Sequence, residues 1–410
     1  MRVQRCKGSR DLSPEEMTRF RLIEGAFRDC CLKWGYEEVR TPTLEYLHLF
    51  TSTGTLTPSM LNRVYSFLDW DGWSGERVVL RPDGTIPVVR LYIESMAEKE
   101  LARLFYVTNI FIFEPTGKKT RERWQCGAEL IGVGSTIADV ELITLALEVL
   151  KRLGLEGVEL RLSHAGLIRA LLAKFGLSPG EQTRIFDQIL DGDVEALTRL
   201  KSGRPELDRT LPLLDLKGKS SGFLKNLKAL FTQNLAELEP PIDDFISIVD
   251  RLEVLGYEYQ IDIASGRDFE YYTGVIFQFF MGGEKVGGGG RYDALIPLMG
   301  GKDTPASGFA LYLNRLMNQV KPEILAEHSG QRILIRAEPS QPEAVKGSFN
   351  IANCLREAGY VAELSLGGQE LTNLRWTLDV QNKAPLFILT DQVNHRRFEV
   401  QTADEVLKLL

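Results

Sequence analysis

The chain of 410 residues is short of histidine, with only four. Its five cysteines, Cys6, Cys30, Cys31, Cys126 and Cys354, form no Cys-x-x-Cys pair. Ligands so few and scattered argue against a structural zinc site, and the cysteines read as free, packed thiols of a reducing compartment. No apolar run approaches the roughly 20 residues a membrane span needs. The opening MRVQRCKGSRDLSPEE carries no apolar signal core, so the expectation is a cytoplasmic protein. Positive charge is not in excess: 49 Lys and Arg stand against 56 Asp and Glu, a formal net charge of −7. That balance speaks against a dedicated nucleic-acid binder, although a local basic patch is compatible with it. Internal repeats and low-complexity tracts are absent.

What remains is an ordinary globular composition, 44% hydrophobic and 26% charged, long enough for two or three domains. DLSPEEMTRFRLIEGAFRDCCLKWGY predicts a helix with Ser13 as cap, Pro14 in the first turn and Glu16 completing a capping box. Met17, Phe20, Ile23, Phe27, Cys31 and Trp34 give it one apolar stripe, and Gly35 stops it. EEVRTPTLEYLHLF reads as strand and turn, and ERVVLRPDGTIPVVRLY as strand, polar bend and helix start. Residues 104–114 and 121–132 form a hairpin around a basic loop. ADVELITLALEVLKRLG is an amphipathic helix and GVELRLSH a strand. Helical runs dominate residues 165 to about 255, taken as a helical insertion. Strands resume in YEYQIDIAS and FEYYTGVIFQFF, and PASGFALYLNRLMNQV is read as a closing helix. From residue 331 strands and helices alternate (RILIRAE, a helix, YVAELSL, a helix, APLFILTD, FEVQT), which predicts a small, mainly parallel α/β sheet. The division expected is therefore 1–325 and 326–410.

Chemistry concentrates on the second strand of the hairpin. Alternation in RERWQCGAE puts Arg121, Arg123, Gln125 and Glu129 on one face, with Trp124, Cys126, Ala128 and Leu130 turned to a core. Gly127 is expected to leave open space between Gln125 and Glu129, room for a ligand with donors at two points. The same pattern also describes a plain solvated face. LRPDGT offers Asp83 and Thr85 as acceptors for an ammonium group, or as simple turn chemistry. VGGGGRYDALIPLMGG is not a Gly-x-x-x-x-Gly-Lys-Ser/Thr phosphate loop, because no lysine follows; a glycine-rich strand instead lets a backbone or flat ligand come close. GRDFEYYTGVIF holds Arg267, Tyr271 and Tyr272, suited to anion recognition or to packing. His164, after a strand and opening a helix, reads as a local hydrogen-bonding residue.

The order of these segments from about residue 5 to 320 resembles the class II aminoacyl-tRNA synthetase core, in its histidine branch. KGSRDLSPEE and WGYEEVRTPTLE resemble the opening and first motif, the hairpin the second motif, and GGGGRYDALIPLMGG with TPASGFALYLNRL the third. The last domain resembles the small α/β anticodon-binding module. The resemblance implies an α+β fold, an antiparallel sheet flanked by helices. It also implies roles: Asp83, Thr85, Gln125 and Glu129 would hold the ammonium and imidazole groups of histidine, and Tyr271, Tyr272 and Tyr292 would line that pocket. Arg267 would contact the carboxylate, and Arg121, Arg123 and Arg315 are the remaining candidates for ATP or phosphate contacts.

Departures from the family pattern are specific. The second motif's Phe-Arg-x-Glu reads FIFE here, so Ile112 stands where an arginine binds the α-phosphate, and losing one such partner typically costs about two to three orders of magnitude in rate. Asp83 replaces a glutamate, Asp268 sits beside Arg267, and GGQELTNLRWTLDV lacks a lysine pair that would attract RNA phosphates. With LSHAGLIRALLAKFGL and YYTGVIF, these features resemble the regulatory subunits of ATP phosphoribosyltransferase, paralogues of histidine–tRNA ligase. That resemblance implies no catalytic residues, no metal and no cofactor. It also implies histidine as ligand, a short catalytic subunit as partner, and a homodimer within a larger hetero-oligomer, with neither tRNA nor membrane as a partner. The alternatives are an active histidine–tRNA ligase using ATP with magnesium, and an amino-acid-binding protein with neither role.

Overall fold

The computed structural model describes residues 3–52, 61, 63–69, 75–114, 116, 120–173, 181, 216–231, 236–263, 271–321, 332–366 and 374–410. The chain divides into two units, Met1–Lys321 and Pro322–Leu410.

The first unit is built on a nine-stranded sheet. Its strands are β1 (Glu37–Glu38), β5 (Ala102–Phe111), β6 (Glu122–Ile131), β7 (Glu159–His164), β8 (Lys217–Gly218), β9 (Gln260–Asp262), β10 (Val275–Met281), β11 (Glu284–Arg291) and β12 (Ala306–Tyr312). They run in the order β1-β5-β6-β12-β11-β10-β7-β9-β8. All neighbours are antiparallel except β1 with β5 and β7 with β9. A three-stranded sheet of β2 (Leu44–Tyr46), β4 (Arg77–Leu80) and β3 (Ser66–Leu68), in that order, leads into the bend at residues 81–84.

One face of the large sheet is covered by helix α1 (Pro14–Lys33). Its capping box is present, with the Ser13 hydroxyl accepting from the Glu16 N–H and the Glu16 carboxylate from the Ser13 N–H. The stripe works as its spacing predicts: Phe20, Ile23, Phe27, Cys30 and Cys31 are buried. Phe20 meets Trp124 of β6 edge to face at 5.1 Å, and Phe27 meets Phe105 of β5 and Phe309 of β12 at 6.0 and 6.3 Å. Burial of such side chains, roughly 1.5–3 kcal/mol each, commits this face of β5, β6 and β12 to the core and leaves the opposite face for polar residues. The Trp34 indole N–H donates to Glu148 of a second covering helix (Thr136–Arg152) at 2.8 Å.

One expectation for this unit needs correction. PASGFALYLNRLMNQV is not one helix: its first half is strand β12, hydrogen-bonded to β6 on one side and β11 on the other, and only Leu313–Gln319 is helical. Ser307 and Gly308 are weak helix formers, and pairing on both edges decides the matter. The described ends of the stretch 165–255, read as a helical insertion, pack on the rest of this unit. Helix Ala165–Ala173 packs on β10, helix Glu239–Val254 packs on Thr136–Arg152, and β8 extends the main sheet. Most of residues 174–215 lie outside the described residues.

The second unit has five strands, β13 (Arg332–Ala337), β14 (Val361–Leu364), β15 (Trp376–Val380), β16 (Phe387–Asp391) and β17 (Arg396–Val400), in the order β14-β13-β15-β16-β17. Helices Pro342–Glu357 and Ala403–Leu409 bury Ile351, Leu355 and Val406 against Ile333, Ile335, Leu378 and Leu389. The sheet is mixed rather than mainly parallel, because β15–β16 and β16–β17 are antiparallel. The helix expected between YVAELSL and APLFILTD falls partly on residues 367–373, outside the described set. The part described, Trp376–Val380, is a strand whose Trp376, Leu378 and Val380 alternate into the core. Among the described residues no helix is long and apolar enough to cross a membrane.

Candidate functional site

The face of the large sheet opposite α1 carries a buried polar cluster centred on Glu129, which is fully shielded from solvent. Three hydroxyls converge on its carboxylate. Thr85 and Tyr106 donate to Oε1 at 2.8 and 3.2 Å, and Tyr292 donates to Oε2. Tyr271 packs edge to face on Tyr292 at 5.6 Å, and Tyr272 on Tyr271 at 5.1 Å. Asp83 is buried beside them, its Oδ1 accepting from the Ile86 N–H at 2.9 Å. Gln125 is 4% exposed, and its Nε2 is a buried donor without an acceptor among the described residues.

Each position follows from local structure. Arg81, itself buried, holds the bend that presents Asp83 and Thr85, donating to the backbone and side-chain oxygens of Asn109 and to the carbonyls of Thr41 and Pro42. Asp83 is held at the start of the helix Thr85–Ser95 by the backbone N–H groups of Gly84, Thr85 and Ile86, its Oδ1 accepting from Ile86. Strand alternation carries Gln125 and Glu129 to the same face, as expected. Gly308 lies opposite Glu129 in β12, where a Cβ would stand 1.7 Å from Glu129 Oε2. The glycine is what lets the carboxylate lie flat on the sheet.

The expected gap at Gly127 is filled. Tyr106, its partner across the hairpin, lays its ring over the glycine, where a Cβ would come within 2.3 Å. Sequence reasoning missed Tyr106 because an aromatic in YVTNIF reads as core, yet its position opposite a glycine in a ten-residue hairpin was the available signal. A further buried network also went unseen: Arg291 pairs with Asp139, which accepts from Ser307 at 2.8 Å, tying β11 and β12 to the helix Thr136–Arg152. His164 behaves as a local hydrogen-bonding residue, its Nδ1 accepting from the Leu167 N–H at 3.2 Å and its Nε2 lying 3.1 Å from Asp244.

The remaining candidates are not in this cluster. Arg121 donates through Nε and Nη2 to the Glu114 carbonyl at 2.9 and 2.7 Å and stacks over Phe113 at 4.7 Å. Arg123 donates to the Thr120 carbonyl at 3.3 Å. Arg315 donates to the Lys285 carbonyl, lies 3.5 Å from Glu284 and sits over the Tyr312 ring at 5.1 Å. Ile112 continues the hairpin through its N–H to the Arg121 carbonyl at 2.8 Å and brings an aliphatic side chain. Arg267 and Asp268 lie outside the described residues. No group of three histidine, cysteine or acidic side chains that could hold a metal occurs among the described residues.

Among the described residues, no positive charge pairs with the acids of this site. Burial pushes the Glu129 carboxyl up to about 8, and the nearby Asp83 charge adds to this while the hydroxyl donors oppose it. Burial likewise raises Asp83 to about 6 against the pull of the Ile86, Thr85 and Gly84 N–H groups. Burial, with the neighbouring carboxylates, holds the Tyr106, Tyr271 and Tyr292 phenols well above their ordinary range. Among the described residues neither carboxylate forms an ion pair with lysine, arginine or histidine. Two buried carboxyls of this kind are complementary to a cationic ligand with several N–H donors.

The sequence model of the histidyl-tRNA synthetase family matches residues 8–316. The ATP phosphoribosyltransferase regulatory subunit of Dehalococcoides mccartyi strain BAV1 is 57% identical over 409 residues, covering 100% of this chain and 98% of that one. The histidine–tRNA ligase of Methanocaldococcus jannaschii is 34% identical over 388 residues, covering 92% of this chain and 89% of the ligase. Among solved structures, an ATP phosphoribosyltransferase regulatory subunit/histidyl-tRNA synthetase from Bacillus halodurans superposes with a TM-score of 0.76 at 25% identity, covering 91% of this chain and 95% of that one.

Proposed function

We infer the function of this chain from its family: it belongs to the ATP phosphoribosyltransferase regulatory subunits, on the class II histidyl-tRNA synthetase fold, and is a regulatory subunit rather than a ligase. Its role is to activate a short catalytic subunit that joins ATP to phosphoribosyl pyrophosphate and to convey inhibition by histidine. Histidine is the ligand of the Glu129 pocket. Its ammonium group pairs with Asp83, its ring with Glu129 and the hydroxyls around it, and Gln125 Nε2 supplies a donor to the carboxylate end. Feedback then requires that histidine bind one arrangement of the complex more tightly than another.

The observation that carries this reading is the contrast between the buried carboxyls of Glu129 and Asp83 and an aliphatic side chain at Ile112. Stabilising charge on an α-phosphate needs a preorganised cation, and the guanidinium groups of Arg121 and Arg315 are already bonded to protein carbonyls. This contrast supports a chain that does not hold a nucleotide for adenylate formation. The test is to mix the chain with its short catalytic partner and measure phosphoribosyl transfer with and without histidine. Activation by the chain and its loss on adding histidine are expected; an unchanged rate and oligomeric state would refute the assignment of role.

A further inference from the structure

We propose that Asp139 is a positioning residue of the Glu129 pocket: from the covered face of the sheet it holds Arg291, and through Arg291 it fixes Tyr292 where its hydroxyl donates to Glu129. The inference rests on the reading of the pocket as a histidine site.

Asp139 belongs to the first turn of helix Thr136–Arg152 and is fully shielded from solvent. Its Oδ1 accepts from the Ser307 hydroxyl at 2.8 Å and its Oδ2 from the Arg291 guanidinium. Arg291, itself buried, donates through its other Nη to the Gly134 carbonyl, between β6 and that helix. Arg291 and Ser307 face each other across β11 and β12 and form the last rung of that ladder. The residue after each lies on the pocket side: Gly308 opposite Glu129, and Tyr292 donating to it.

These two neighbours are not equally secured. Gly308 is paired with β6 on one side and β11 on the other, so the backbone alone holds it. Tyr292 lies beyond the end of β11. Its N–H donates to the Ala306 carbonyl at 2.7 Å, and Asp293 bonds Ala306 and Thr273, which sets the path of the chain. A strand end can still roll about its axis, and a roll moves a phenol oxygen at the tip of a long side chain much more than it moves the backbone. Arg291, on the other side of the same backbone, is anchored at two points, the Gly134 carbonyl and Asp139, and so opposes the roll. The second anchor is a charge-assisted bond between buried partners, which makes it both strong and damaging to break. Ser307 orients the carboxylate that Arg291 meets.

The experiment is a double-mutant cycle on the full chain, with histidine affinity read by calorimetry. Ser307→Ala keeps the ion pair but frees one side of the Asp139 carboxylate, and histidine should bind about two- to tenfold more weakly. Asp139→Asn removes the charge that meets Arg291, and the loss should be about tenfold or more. In a Tyr292→Phe chain either change should cost less than about twofold, because the hydroxyl through which it acts is gone. Equal losses in both backgrounds would mean general structural damage and would overturn the inference. A buried cation stripped of its partner can prevent folding; if Asp139→Asn does not fold, the Ser307→Ala cycle decides. A ligand-free arm uses the chain labelled with carbon-13 at tyrosine Cζ. The resonance that Tyr292→Phe removes should move in Ser307→Ala, and an unmoved resonance would also overturn the link. If the unaltered chain binds no histidine, the reading of the pocket falls, and the ligand-free arm alone decides whether Asp139 governs Tyr292.

Discussion

The two ends of the β5–β6 hairpin have been treated differently. At the inner end Glu129, Gln125 and Tyr106 are buried, and every hydroxyl that reaches Glu129 is aimed at it. At the outer end Ile112 has no charge to offer, and Arg121 is stacked on Phe113 and bonded to the Glu114 carbonyl. A ligand-binding half and a phosphate-handling half share one hairpin, yet they are built on separate contacts. The side chain at position 112 can therefore change without disturbing the contacts around Glu129.

The sharpest way to break that contrast is at Gly308. Gly308→Ala places a Cβ 1.7 Å from Glu129 Oε2, and overpacking of this kind costs about 1–3 kcal/mol or more. Calorimetry should find histidine binding abolished and the melting temperature lowered. Next comes Tyr292→Phe, which removes one donor to a buried carboxylate. A charge-assisted bond of this type is worth about 1.5–3 kcal/mol, so histidine should bind roughly ten- to a hundredfold more weakly.

The third effect is on pH dependence. Glu129 titrates near 8 in the folded chain, against an ordinary 4.5. Between those values the folded state holds the proton that the unfolded state has lost. This contribution is therefore complete below about pH 4.5 and is lost as pH rises through about 8. Asp83, raised to about 6, acts in the same direction. The melting temperature of the ligand-free chain should fall from pH 5 to 8, and Glu129→Gln should flatten much of that slope. At the outer end, Arg121→Ala should be the mildest change. It removes bonds to one half-exposed carbonyl, about 0.5–1.5 kcal/mol, and should leave histidine affinity within twofold.

Most of the inner end was legible in the chain because strand alternation alone puts Gln125 and Glu129 on one face, and because Asp83 and Thr85 sit at a helix start. What was not legible depends on partners remote in sequence. Tyr106 belongs to the pocket only because Gly127 lies across the hairpin from it, and an aromatic in an apolar run gives no sign of which face it takes. β12 was misread as helix because nothing local in SGFALY announces that β6 and β11 flank it on both sides. Trp376–Val380 was missed for a similar reason, its central place between β13 and β16 being set by tertiary pairing. Arg121 and Arg123 were expected on the face of Gln125 and Glu129; Arg121 lies just ahead of β6, and the Glu114 and Thr120 carbonyls that these arginines bond could not be foreseen from alternation.

The central claim is that the cluster around Glu129 binds histidine while Ile112 leaves the chain without carboxyl activation. Histidine-dependent exchange of pyrophosphate into ATP measures that activation directly. With histidine and ATP both saturating, the account predicts no exchange above background from a chain that still binds histidine in the same tube. Sustained exchange at a ligase-like rate would contradict it.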